Sequence, residues 1–100
     1  MGKTQSVPVE LRPGYYEWNL YIGDELIYTL DPDWDEAMAG MTADEMLPDA
    51  EATISGIIED LWYYGDGDCI EKHDKLKRHF SAAVQALVRA AMYHVGKEDD

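Results

Sequence analysis

The sequence predicts one α+β domain in which a small antiparallel sheet packs against two main helices. Residues 15–30 are rich in strand-forming side chains on both sides of a two-residue turn, Gly23-Asp24. Apolar residues then recur with the period of a helix over about 50–64 and 70–95. All of the strands precede these two helices. This order of elements is typical of an α+β domain with a single core.

The hairpin over residues 15–30 is predicted to have one face toward the helices and one face away from them. A two-residue turn with glycine first pairs Ile22 with Glu25. Continued without a break, the same register pairs Leu20 with Ile27. The side chains predicted to face the helices are Trp18, Leu20, Ile22 and Ile27. The side chains predicted to face away are Tyr15, Glu17, Asn19, Tyr21, Leu26, Tyr28 and Leu30.

A third strand is predicted over residues 7–11, at the edge of the sheet. Apolar Val7, Val9 and Leu11 alternate with Pro8 and a glutamate. Because proline lacks the N–H that a strand donates to its neighbour, it is tolerated only in an edge strand. We therefore expect this segment to extend the hairpin on one side.

The first main helix is predicted over about 50–64. The segment Thr42–Glu45 fits a capping box and predicts a short helical turn, which Pro48 interrupts. Asp49 is then the expected N-cap of the main helix, and Gly65 its expected end. The residues of its predicted core stripe are Ile54, Ile57, Ile58, Leu61 and Trp62.

The second main helix is predicted over about 70–95. Asp68 is its expected N-cap, and Gly96 is expected to end it before a charged tail. Its predicted buried stripe consists of Leu76, Phe80, Ala83, Val84, Leu87, Val88 and Ala91. The alanines on this stripe should permit close approach to neighbouring elements.

Length and cysteine content limit the class of protein. A chain of 100 residues is long enough for one compact core but not for two, so we expect a single domain over residues 1–100. The lone cysteine, Cys69, cannot form a disulfide within the chain, and no secretory hydrophobic region is present near Met1. We expect a cytoplasmic protein that does not cross a membrane.

The acidic residues are concentrated in the first two thirds of the chain. The formal net charge is −13, and the sixteen acids between Pro13 and Glu71 are interrupted by no Lys, Arg or His. Direct binding to nucleic acid is disfavoured, because Lys and Arg drive association with phosphates. A field of one sign instead favours a basic partner, for which a nucleic-acid-binding protein is the natural choice. Solubility and adaptation to high salt are the alternative explanations of the acidity.

The motifs that suggest metal or catalytic chemistry fail on inspection. The Asp31–Asp35 segment has the spacing that opens a calcium loop, but Glu36 and Thr42 stand where glycine and a bidentate glutamate are required. Cys69 and His73 lie one helical turn apart, but a structural zinc site needs four ligands. No hydrolase, nucleotide or dinucleotide fingerprint is present. We expect no cofactor, no metal and no enzymatic activity.

The predicted function is therefore that of a non-enzymatic binding protein, which inhibits or masks a basic partner by occupying its nucleic-acid site. Acids steer the encounter, and aromatic residues supply affinity. The residues predicted to contact the partner are Asp31, Asp33, Trp34, Asp35, Glu36, Asp44, Glu45, Glu59, Asp60, Asp66 and Asp68.

In size, acidity and lack of catalytic motifs, the whole chain resembles small phage anti-defence proteins, including anti-CRISPR proteins and DNA mimics. The resemblance implies an inhibitor and carries over no site residue, because no family motif is matched. Two further interpretations stay open. One is an adaptor or assembly subunit, dimeric through the tyrosine-rich face of the hairpin. The other is an unrecognised small enzyme.

Overall fold

The computed structural model describes the backbone of residues 8–98 and the side chains of residues 8–93. Three antiparallel strands in the order β1-β2-β3 pack on three helices, which confirms the predicted α+β class. The strands are β1 (Val9–Pro13), β2 (Trp18–Ile22) and β3 (Glu25–Leu30), and the helices are α1 (Ala43–Tyr64), α2 (Gly67–Arg78) and α3 (Phe80–Glu98). A short 3-10 helix, Glu36–Met38, lies between β3 and α1.

The predicted edge strand is present and slightly displaced. It was expected over residues 7–11 and runs as β1 over Val9–Pro13, paired with β2. Pro8 precedes the strand, and Pro13 is its last residue. Val7 lies outside the described residues.

The register of the hairpin departs from the predicted one after its first pairs. Ile22 lies opposite Glu25, as predicted. Leu20, however, lies opposite Tyr28 and not opposite Ile27. Ile27 is therefore the extra residue of a β-bulge, which gives β3 one more residue than β2 over this stretch.

The bulge reverses the orientation of the residues that follow it. Side chains alternate between the two faces of a strand, so one extra residue moves every later side chain to the other face. Tyr28 and Leu30 were predicted to face away from the helices, and this was wrong. Leu30 lies opposite Trp18 and is only 6% exposed. The four residues predicted to face inward do so, although Trp18 is only half-buried.

Helix α1 begins earlier than predicted and is continuous. The capping box is confirmed: Thr42 Oγ1 accepts from Glu45 N–H at 3.3 Å, and Glu45 Oε1 accepts from Thr42 N–H at 2.9 Å. Pro48 does not interrupt the helix, and Asp49 is an interior residue and not an N-cap. Burial explains the difference, since α1 buries apolar side chains both before and after the proline. These residues are Met46, Ala50, Ile54, Ile57 and Leu61.

The predicted helix over 70–95 is two helices, α2 and α3, separated at His79. The N-cap of α2 is Asp66 and not Asp68, because Asp66 Oδ1 accepts from Cys69 N–H at 3.0 Å. Both helices pack against α1, and the break at His79 permits this by changing the direction of the chain. Gly96 does not end α3, which continues to Glu98.

The core lies between the inner face of the sheet and the three helices. The largest fully buried side chains are Leu20, Met38, Met46, Ile54, Leu76 and Leu87. The stripe predicted for the last helix is buried except for Phe80, which is half-buried. Within residues 8–98, no helix has an apolar stretch long enough to cross a membrane.

Candidate partner-binding surface

An acidic cleft lies between the end of β3 and the middle of α1. Its volume is about 480 Å³. Five of the predicted partner-contacting residues line it, namely Asp31, Asp33, Trp34, Glu59 and Asp60. The other lining residues are Tyr28, Thr29, Leu30, Thr53, Gly56 and Ile57. The fold thus brings together two acidic segments that are more than twenty residues apart in the sequence.

The loop after β3 is held in place by turns and by an aromatic pair. Trp34 N–H donates to the carbonyl oxygen of Asp31 at 3.0 Å, and Glu36 N–H donates to that of Asp33 at 3.1 Å. The ring of Trp34 meets the ring of Trp18 edge to face, with 5.7 Å between centroids. This contact fixes the loop on the sheet, so that Asp31 and Asp33 stay exposed at the rim of the cleft.

Two of the predicted contact residues in this loop are less accessible than expected. Trp34 is half-buried against the core, and its Nε1 atom is buried without a hydrogen-bond partner among the described residues. Asp35 is only 6% exposed. Asp35 therefore supports the loop from inside, whereas Trp34 supports the loop and also lines the acidic cleft.

Tyr28 links β3 to α1 at the cleft. Its hydroxyl donates to Oδ2 of Asp60 at 2.6 Å. This hydrogen bond raises the pKa of Tyr28 to about 12, with smaller contributions from burial and from the negative charges of Asp60, Tyr64 and Asp31. The bond holds one oxygen of Asp60 in a defined position and leaves that carboxylate exposed.

The carboxylates of the cleft have no cationic partner among the described side chains. The ion pairs within residues 8–93 join Arg12 to Glu10, Lys75 to Glu25 and His73 to Asp74. None of them involves Asp31, Asp33, Glu59 or Asp60. Four unpaired carboxylates around one depression produce a local negative potential that attracts a cation.

The other predicted contact residues lie in two separate places. Asp44 and Glu45 are in the first turn of α1, where Glu45 is engaged in the capping box. At 1.5 Å per residue, Asp44 is about 24 Å along the helix from Asp60. Asp66 and Asp68 lie at the start of α2, and the hydrogen bond from Cys69 N–H lowers the pKa of Asp66. Glu36 is exposed at the start of the 3-10 helix.

A second depression, the α1–α2 groove, lies on the other side of Glu59 and Asp60. Its volume is about 640 Å³. Its lining residues are Ile58, Glu59, Asp60, Trp62, Tyr63, His73 and Lys77. Because Glu59 and Asp60 line both depressions, they form the ridge between the acidic cleft and this groove.

Exposed aromatic residues at the end of α1 were missed or misplaced by the sequence prediction. Trp62 was assigned to the core stripe, but it is 62% exposed, and Tyr63 and Tyr64 are even more exposed. Successive residues on a helix are rotated by about 100°, so four large apolar residues in a row cannot all face one core. The run Leu61–Tyr64 in the sequence therefore already indicated that some of these side chains would be exposed. In the structure, only Leu61 of the four is buried.

Among the described residues, no hydrogen bond joins Cys69 to His73. The Nδ1 atom of His73 lies 3.0 Å from Oδ1 of Asp74, and its ring packs against Trp62. Partial burial raises the pKa of the Cys69 thiol, and the nearby Asp66 carboxylate raises it further, so the nucleophilic thiolate is disfavoured. Among the described side chains, no group of three or more His, Cys, Asp and Glu could hold a metal ion.

The outer face of the sheet is more polar than predicted, because the bulge turns Tyr28 and Leu30 inward. The residues of this outer face are Glu10, Arg12, Asn19, Tyr21, Leu26 and Thr29. The guanidinium of Arg12 lies over the ring of Tyr21, 4.6 Å from its centroid. A dimer through a tyrosine-rich face thus loses part of the apolar area on which that interpretation depended.

Searches with the sequence and with the fold match no family model, no curated protein and no solved structure. The resemblance to anti-defence proteins stays a prediction.

Proposed function

We propose that this protein acts by binding rather than by catalysis, and that it inhibits a basic, nucleic-acid-binding protein by covering the surface that would otherwise contact phosphates. The observation that carries the proposal is the acidic cleft. In it, carboxylates from the loop after β3 and from the C-terminal part of α1 line one depression without a cationic partner among the described side chains.

The chemistry of the cleft suits a cationic protein surface. Nucleic acid presents closely spaced negative charges, and a protein that binds it presents Lys and Arg at matching positions. The carboxylates of Asp31, Asp33, Glu59 and Asp60 offer such charges on a folded support. Mutual repulsion among these acids is relieved when a cationic surface binds, so the basic partner is favoured over neutral or acidic proteins.

Exposed aromatic surface beside the cleft supplies binding affinity that charge alone does not provide. Charges on an interface rim mainly raise association rates, whereas large aromatic side chains supply most of the affinity. Trp62 and Tyr63 are exposed one helical turn beyond the ridge acids. The proposed contact surface therefore combines the acidic cleft, the ridge and the exposed aromatics.

The predicted setting completes the proposal. A cytoplasmic inhibitor of a nucleic-acid-binding protein is what the resemblance to anti-CRISPR proteins and DNA mimics implies. The acid-only segment between Pro13 and Glu71 supports this role, because its negative charge also disfavours direct binding of the protein to nucleic acid.

The test uses two charge variants of equal net charge. Asp31→Asn, Asp33→Asn and Glu59→Gln together remove three charges from the cleft and leave the bond between Tyr28 and Asp60 intact. Asp24→Asn, Glu51→Gln and Glu71→Gln together remove three exposed charges elsewhere. Wild type and both variants are used to capture proteins from a lysate of the source organism. The captured partner is then purified for kinetics.

We expect wild type and the control variant to retain a basic protein that duplex DNA displaces, and the cleft variant to lose it. At about 0.01 M salt, association with the cleft variant should be roughly tenfold slower than with the control variant, and the gap should narrow toward about 0.1 M as screening increases. Equal rates for the two variants would show that the cleft is not the contact surface. A captured protein that DNA does not displace would contradict masking.

A further inference from the structure

Trp62 is held in place on one side and open on the other. Its ring centroid lies 5.1 Å from that of His73, at an interplanar angle of 45°. The His73 side chain is only 12% exposed and is oriented by its contact with Asp74. Trp62 itself is 62% exposed. A partner that binds the open face of this ring therefore meets a side chain already oriented by its neighbours, which reduces the entropy lost on binding.

Near the end of α1, acidic side chains lie beside aromatic side chains on the helix surface. Residues three or four apart on a helix lie side by side, with about 5–6 Å between their Cβ atoms. Glu59 is thus a neighbour of both Trp62 and Tyr63, and Asp60 is a neighbour of Tyr63. All four side chains line the α1–α2 groove. Each carboxylate that could accept hydrogen bonds therefore stands beside a ring that could accept a cation on its face.

We propose that the α1–α2 groove receives an arginine side chain of the basic partner, with the guanidinium plane on the open face of Trp62 and its N–H donors directed to the carboxylate of Glu59, while Asp60 adds negative charge to the same groove. This inference rests on the proposed function and names the side chain that is recognised. Charge complementarity supports it, because the wall formed by α1 contributes the two acids.

The geometry favours arginine over lysine. A guanidinium is planar, stacks on aromatic rings and donates two parallel hydrogen bonds to a carboxylate, whereas an ammonium is a compact and strongly hydrated charge. Tryptophan is the ring that attracts such a cation most strongly. On the opposite wall, Lys77 repels a cation and so directs the guanidinium toward α1. Simple attraction between opposite charges would not distinguish arginine from lysine.

The experiment compares two blocked peptides of equal charge, octa-arginine and octa-lysine, by isothermal titration calorimetry at about 0.1 M salt. For the wild-type protein we expect the arginine peptide to bind about fivefold more tightly than the lysine peptide. Trp62→Ala should lower this ratio clearly, because stacking is lost while the parallel hydrogen bonds to a carboxylate remain possible. Trp62→Phe, which keeps an aromatic face, should retain part of it. Tyr15→Ala, which truncates an even more exposed ring at the β1–β2 turn, should leave the ratio unchanged.

The outcomes separate this inference from the proposed function. If both peptides bind the wild type equally, or if Trp62→Ala leaves the ratio unchanged, arginine recognition by Trp62 is overturned while acidic binding stands. If neither peptide binds, the proposed function and the inference fall together. Circular dichroism establishes that each variant is folded. Should Trp62→Ala unfold, Trp62→Leu keeps apolar volume without a ring and is expected to give the same loss of discrimination.

Discussion

The hydroxyl of Tyr28 donates a hydrogen bond to Oδ2 of Asp60 across 2.6 Å, joining β3 to α1 over a sequence separation of 32 residues. The bond depends on the β-bulge at Ile27, because without the extra residue Tyr28 would point away from the helices. An irregularity in the sheet thus positions a carboxylate on the ridge between the acidic cleft and the α1–α2 groove.

Replacing Tyr28 by Phe should lower the free energy of unfolding by about 1 kcal/mol at pH 8, since a half-exposed hydrogen bond is partly screened by solvent. The pKa of Tyr28 is raised from its ordinary value of 10 to about 12 in the folded chain. The folded state then holds this proton when the unfolded state has lost it. The contribution of this hydrogen bond to the free energy of unfolding is therefore complete below pH 10 and is lost as the pH rises to about 12.

Urea unfolding of wild type and Tyr28→Phe at several pH values between 8 and 12 measures this effect. The difference between the two proteins should shrink over that range. Tyr63→Phe, at an exposed ring, is the control for the loss of a tyrosine hydroxyl. A difference that stays constant up to pH 12 would mean that the hydroxyl is not bonded to Asp60.

Leu30→Ala should cost about 3 kcal/mol of unfolding free energy, whereas Leu26→Ala should cost less than about 1 kcal/mol. Leu30 is 6% exposed and Leu26 is 41% exposed. Both substitutions remove the same atoms from the same strand, so they form a matched pair. Chemical denaturation of the two variants tests the bulge directly. Equal costs would contradict the observed register.

Trp34→Ala should cost about 2–3 kcal/mol, because a half-buried ring packed on Trp18 is lost. Trp34→Phe should cost less than about 1 kcal/mol. It keeps a ring against Trp18 and also removes a buried N–H that has no partner among the described residues, which offsets the loss of contact area. Thermal and urea unfolding measure both variants. If Trp34→Phe lowered the free energy of unfolding as much as Trp34→Ala, the indole N–H of Trp34 would have to be hydrogen-bonded in solution.

Pro48→Ala should raise the free energy of unfolding by about 1 kcal/mol. Pro48 is exposed in the second turn of α1, where it removes one backbone hydrogen bond. Alanine restores that bond, and the greater freedom of the unfolded chain offsets part of the gain. Gly56→Ala is a useful comparison, since a Cβ there meets nothing within 4 Å and alanine favours the helix by roughly 0.5–1 kcal/mol. A loss of stability in Pro48→Ala would show that the proline ring makes a packing contact.

Local chemistry was sufficient to predict several elements. The turn at Gly23-Asp24, the capping box at Thr42 and the end of α1 at Gly65 depend on residues within a few positions of one another. The core stripes of α1 and α3 followed from periodicity, with exceptions at Ile58 and Phe80, which are half-buried, and at Trp62, which is exposed. Each of these features is specified over one or two turns of the chain, which is why the sequence pattern predicts it.

The break at His79 had no such local cause. The segment Lys75–Phe80 contains neither glycine nor proline, and its residues favour a continuous helix. The chain turns there because α2 and α3 both pack on α1. Packing also overrode the interruption expected at Pro48, since the buried residues on both sides of it belong to one helix face.

By itself, the sequence determined the class of the fold, the absence of a basic residue from Pro13 to Glu71, and the negative sign of the chain's net charge. Tertiary structure decided which acids lie together. Asp31 and Asp33 meet Glu59 and Asp60 in one cleft, whereas Asp35 is buried. Charge is a sum over residues and needs no coordinates. A shared surface, by contrast, depends on a bulge and on helix packing, which bring together residues that are remote along the chain.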